Sequence, residues 1–127
     1  MQIKKGELIF IVFFSSCVTL NQRELFQRVE HFNLLMRWRK FEEASLFVVK
    51  ERRDEFREYY RELSETLYFN EISIASYDVK EKERFALIKV YVLYYLYPDI
   101  VEKKKMIEQK WVWKDKDWFL QEGWFIR

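Results

Sequence analysis

A chain of 127 residues has the length of one domain, or of one domain with a tail, which argues against a two-domain enzyme. Half of it is hydrophobic and 20% aromatic, with two Gly and one Pro, so it is neither disordered nor linker-like and buries a core. A net charge of +2 lacks the basic surplus of a nucleic-acid binder, and one Cys with one His cannot build a structural zinc site or a disulfide framework, so no nucleic acid, metal or cofactor is expected.

Lys4 and Lys5, then the apolar run Leu8 to Phe14, then Ser15 and Ser16 follow the order of a secretory signal peptide. The run is too short to serve as a permanent span, which takes about 20 apolar residues. Phe14-Ser15-Ser16-Cys17 resembles the lipobox of bacterial lipoproteins, with Phe14 in place of the usual Leu. The resemblance implies cleavage before Cys17, a lipid on its thiol, and an exported protein tethered to a membrane of the bacterial cell envelope. It divides the chain into a signal peptide (1–16), a lipidated tether (17–21) and a single domain (22–127). Two acyl chains would hold such a domain stably, since each buried CH₂ contributes about 0.8 kcal/mol. The other reading makes Leu8 to Phe14 a buried strand and Cys17 an ordinary core thiol.

From Asn21 the spacing turns helical. Leu25, Val29, Phe32 and Met36 form a stripe widened by Phe26 and Leu35, and Asn21 with Glu24 has the form of a capping box. A second helix is expected to carry Phe41, Ala44, Ser45 and Val48 on one face, and a third Phe56, Tyr59, Tyr60, Leu63 and Leu67. After Tyr68 the period becomes two. Strands are expected over Tyr68 to Tyr77, Arg84 to Tyr97, Val101 to Trp113 and Asp117 to Phe125, joined by short breaks as an antiparallel meander.

Helices followed by four strands give an α+β domain, with the helices on one face of a curved four-stranded antiparallel sheet. That order, with Gln109-x-Trp111 and the closing Asp117-Trp118-Phe119-Leu120, resembles the nuclear transport factor 2-like superfamily, the cystatin-like cone. The resemblance implies a pocket between helices and sheet, which serves small enzymes such as cyclases and isomerases and also noncatalytic binding modules, so fold alone does not select function.

The chemistry such enzymes need is thin here. His31 stands one step off the apolar stripe with no orienting partner, and Asp78, Asp99, Asp115 and Asp117 fall in expected turns. Alternation turns Ile107, Gln109, Trp111 and Trp113 toward the helices, so Trp38, Phe47, Tyr60, Trp111 and Trp113 are expected to line an aromatic core or pocket. The strand from Arg84 is apolar on both sides. If Ala86, Ile88, Val90, Val92, Tyr94 and Leu96 face the helices, then Phe85, Leu87, Tyr91, Leu93 and Tyr95 need a second cover. That cover is a protein partner, with a homodimer as the specific expectation, or else the Trp124-Phe125-Ile126 segment or the Asn21 helix of the same chain. The leading expectation is a noncatalytic, membrane-tethered domain that binds a partner protein or a small apolar molecule. The alternative is a small cofactor-free enzyme of the cyclase or isomerase kind that uses a pocket Tyr or Asp.

Overall fold

In the computed structural model, which describes residues 22–126, helix α1 (22–37) buries Leu25, Val29, Phe32 and Met36 against the sheet. Its end is fastened by the Arg39 N–H on the Met36 carbonyl and the Lys40 N–H on the Leu35 carbonyl, the paired bonds of a Schellman motif. Arg39 holds the left-handed position, φ 62°, where glycine is usual. Helix α2 (Phe41–Ser45) follows at once and buries Ala44 and Ser45. Val48, expected on this helix, instead forms an isolated parallel bridge with Leu120. The N–H of Val49 bonds to the Leu120 carbonyl and the N–H of Leu120 to the Phe47 carbonyl, which covers the outer edge of the last strand.

A 3-10 turn (Lys50–Arg52) leads into α3 (Arg53–Leu63), which buries Phe56, Tyr60 and Leu63. Leu67 does not continue this helix. Ser64 Oγ bonds back to the Arg61 carbonyl and Thr66 Oγ1 to the Leu63 carbonyl, hydroxyl contacts that compete with helix propagation, and Leu67 becomes the first residue of the sheet.

The sheet is a four-stranded antiparallel meander in the order β1 (Leu67–Lys80), β2 (Phe85–Leu96), β3 (Asp99–Lys114), β4 (Asp117–Glu122). β1 and β3 run longer than the alternation predicts, and Asp78 lies within β1, not in a turn. Asp115 and Lys116, both at positive φ, make the tight turn between the paired Lys114 and Asp117. β4 is shorter than expected. Gly123, at φ 99°, turns the chain, and Trp124 and Ile126 enter the core beside α3.

All helices lie on one face, giving the α+β arrangement that the element order predicts. The core forms between them and Ala86, Ile88, Val90, Val92 and Tyr94 of β2, Ile107 and Trp111 of β3, and Trp118 and Leu120 of β4. Neither α1 nor the Trp124 segment covers the opposite face of β2; both are on the helix side.

Candidate functional site

The register Ala86↔Trp111 and Ile88↔Gln109 places the Gln-x-Trp pair at the centre of the inner face. Gln109 is buried, so its amide needs partners inside the protein. Its Nε2 donates to Asn33 Oδ1 at 2.9 Å, and its Oε1 accepts from Trp111 Nε1 at 3.0 Å; Asn33 Nδ2 donates to the Val29 carbonyl at 2.9 Å. This buried chain ties α1 to β3.

Phe32 meets Trp111 edge to face with centroids 5.6 Å apart, and Phe56 meets Trp124 in the same way at 5.8 Å. The space left between Asn33, Gln109, Tyr60 and Trp124 is about 20 Å³, enough for one water-sized molecule and far below the roughly 300 Å³ of a small-ligand pocket. The Tyr60 hydroxyl donates to the Trp124 carbonyl. Burial, with a smaller contribution from Tyr59, pushes its pKa well above the usual tyrosine value and keeps it protonated.

Of the five aromatic residues expected to line an aromatic core or pocket, Phe47, Tyr60 and Trp111 belong to one buried core, Trp113 packs against it, and Trp38 stands apart. Trp111 and Tyr60 are core. Phe47 closes the margin beneath Arg28, whose guanidinium lies 4.5 Å from its ring, and the exposed His31 meets that ring at 5.1 Å. Trp113, half-buried, meets Trp118 edge to face at 5.5 Å near the β3–β4 turn. Trp38 is 62% exposed, with the Arg37 guanidinium over its ring, and it lines nothing. Two residues beyond Met36 is a turn of about 200° around a helix, which carries Trp38 off the buried stripe.

Of the other Asp residues expected in turns, Asp99 opens β3 and accepts the Val101 N–H at 3.0 Å, and Asp117 opens β4 and pairs with Arg28 at 3.3 Å. Among the described residues, no three His, Cys, Asp or Glu side chains stand close enough to hold a metal. Cys17 and its flanking signal segment lie outside the described residues.

The outer face of β2 presents Phe85, Leu87, Leu93 and Tyr95, all half-buried, and Tyr91, 37% exposed. Met106 of β3, paired with Tyr91, is 43% exposed. Tyr68 of β1 stacks on Tyr95 at 5.3 Å. Lys104 Nζ sits 4.8 Å from the Tyr91 ring and Lys110 Nζ 4.9 Å from the Phe85 ring, so lysine stems from β3 shield part of the ridge while their charges stay in water. This partial cover lets a strand with two apolar faces sit beside solvent. The flanks differ in charge, because Glu71 and Asp78 of β1 stand level with Leu93 and Leu87, and Lys104 and Lys110 of β3 stand level with the same two residues from the other side.

These features define an α+β domain whose helices close one face of a four-stranded antiparallel meander and leave the other open among the described residues. The chain matches no family model and no curated protein. Among solved structures it is similar to the solution structure of a SEC-C motif containing protein from Rhodopseudomonas palustris, with a TM-score of 0.60 and 16% identity over 75% of this chain and 73% of that one. At that identity the likeness is one of fold.

Proposed function

We propose that this chain is a noncatalytic interaction module of the nuclear transport factor 2-like, cone-shaped kind, tethered by lipid at Cys17 to a membrane of the bacterial cell envelope. On this reading it works by docking a second copy on the outer face of its sheet. The observation that carries the reading is the ridge of Phe85, Leu87, Tyr91, Leu93 and Tyr95, only partly covered among the described residues, on a sheet whose inner face is already closed. The enzyme reading is weaker for the space between helices and sheet, because about 20 Å³ there admits no substrate and the Tyr60 hydroxyl beside it is committed to a carbonyl.

A second copy fits the charge pattern. A two-fold axis parallel to β2 lays β1 of one copy over β3 of the other at the same level, setting Glu71 opposite the other copy's Lys104 and Asp78 opposite its Lys110. Stacked sheets stand about 10 Å apart, within reach of these side chains. Lys89, near the axis, is balanced by Glu108 at its own level.

Two measurements test the reading. The intact mass of membrane-extracted protein is expected to show a chain starting at acylated Cys17, and Cys17→Ser should release the domain or leave the precursor uncut. Full-length protein with an unmodified Cys17 overturns the tether. In sedimentation of the detergent-extracted protein, Glu71→Lys or Lys104→Glu alone is expected to weaken dimerisation by about tenfold, and the two together to restore it. A wild-type protein that stays monomeric at high concentration, or a double variant no better than either single, overturns the docking face.

A further inference from the structure

β2 and β3 do not keep step at the end of their hairpin. Tyr94 pairs with Lys103 and Leu96 with Asp99, so β3 advances four residues while β2 advances two, and the surplus leaves the ladder as a bulge. The bulge carries Ile100, 76% exposed, and Val101, 65% exposed, the two most exposed of the large hydrophobic side chains among the described residues. Tyr97, in the turn just before them, is exposed as well. The Tyr97 N–H bonds to the Thr66 carbonyl, and Arg37 Nη1 donates to the Phe69 carbonyl, so the exposed Trp38 stands at the same end of the sheet.

Cations follow directly behind this tip. Lys103 and Lys105 alternate with Lys104, which puts the first two on the helix side of the sheet and the third on the outer side, over Tyr91. None of the three has an ion pair among the described residues. Lys105 Nζ donates to the Ile126 carbonyl at 2.7 Å, which holds the group but leaves its charge uncompensated. The carboxylates nearby are engaged, since Asp99 accepts the Val101 N–H and Glu102 accepts from Asn70 Nδ2 at 3.0 Å. At about 3.3 Å per residue the lysines stand roughly 10 Å or more behind Ile100.

We propose that this hairpin tip docks on an anionic lipid surface, with Tyr97, Ile100 and Val101 as the apolar wedge and Lys103 and Lys104 on the lipid phosphates. Interfacial segments sink about 5 to 10 Å into the headgroup boundary, a depth that buries the bulge and brings flexible lysine stems behind it level with the phosphates. Tyr97 and Trp38 are the residue types that settle at that boundary. A protein groove matches one face of a hairpin, whereas a lipid surface surrounds all of it, which suits cations on both faces. Gln22 Nε2 donates to Glu81 Oε1 beside the β1–β2 turn, so α1 begins at the opposite end of the sheet. The tip contact is therefore separate from any tether through Cys17, and it is complete in one copy.

The test uses the full chain with Cys17→Ser, which removes the acylation site, and a polarity-sensitive dye attached at Tyr97→Cys. The dye reports the tip itself, so lipid contact made by the Leu8 to Phe14 run does not imitate the signal. A blue shift is expected with phosphatidylglycerol vesicles and little with phosphatidylcholine. The ratio of buried to exposed tip should fall about fivefold for Lys103→Gln and about tenfold for Ile100→Ser. Both side chains are exposed, so the fold is retained. The same dye at Glu83→Cys, in the β1–β2 turn, is expected to stay in water. No shift at position 97 with either vesicle overturns the proposal and leaves the tip to a protein partner. Equal shifts with both vesicles, a shift at position 83 as large as at 97, or a shift unchanged by Ile100→Ser overturns it as well. Lys103 takes no part in the pairing of sheet faces, so failure here and failure of that docking face are told apart.

Discussion

Trp111→Ala is expected to cost about 3 to 5 kcal/mol of folding stability, measured by chemical denaturation. The ring is fully buried between α1 and the sheet, meets Phe32 edge to face at 5.6 Å, and holds the Gln109 Oε1 that anchors the amide chain to Asn33. Truncation therefore combines two losses: a large cavity opens, and a buried amide oxygen loses its indole donor. Trp111→Phe separates them, because it refills most of the volume and leaves the oxygen only the longer bond from Asn33 Nδ2 at 3.4 Å; about 1 to 3 kcal/mol is expected. A loss near zero for the alanine variant would mean that the indole faces solvent, and that the inner face is not the packed interior described above.

Gly123→Ala is expected to be nearly as damaging, at about 3 kcal/mol or more. A Cβ at this position would stand 2.2 Å from the Glu108 carbonyl oxygen and 2.6 Å from the Gln109 Cα. Both atoms belong to the backbone of β3 and cannot swing aside. The φ of 99° adds strain for any L side chain. The chain would have to move away from β3, unseating Trp124 and Ile126, together with the hydrogen bonds from Tyr60 Oη to the Trp124 carbonyl and from the Ile126 N–H to Tyr59 Oη. Near-ultraviolet dichroism should lose tryptophan signal along with the fall in denaturation midpoint. An unchanged midpoint would show that the 123–126 segment is not seated on the core.

Much of the fold is legible in the residues because it rests on local periodicity. The stripe of Leu25, Val29, Phe32 and Met36 can be satisfied by a helix with one buried face, and the alternation in Ile107, Gln109, Trp111 by a strand with one. The two-sided apolar character of β2 likewise marks a central strand whose outer ridge needs attention. Errors gather where one period gives way to another. Leu67 continues the spacing of α3, but the hydroxyls of Ser64 and Thr66 capture carbonyls of its last turn, and the residue joins β1 instead. Trp38 reads as core by its chemistry, yet its angle past Met36 turns it outward.

The candidate sites depend on partners that no local pattern reveals. Asn33 and Gln109 are 76 positions apart, and only the docking of α1 on β3 brings their amides together. Whether the inner face holds a pocket turns on Trp124, which fills it because Gly123 permits a backbone turn toward β3. The one hint in the sequence is a glycine at the end of an otherwise regular strand. The end of α1 has no motif at all, since a helix end of this kind is normally recognised by glycine and here carries arginine. Element type and the face each element buries were thus settled by the residues themselves, because the burial of alternate or every third and fourth side chain is a property of the local chain. What lies empty, what is filled and which polar groups find partners were settled by tertiary structure, because volume and hydrogen-bond satisfaction are determined by segments that meet only when the chain has folded.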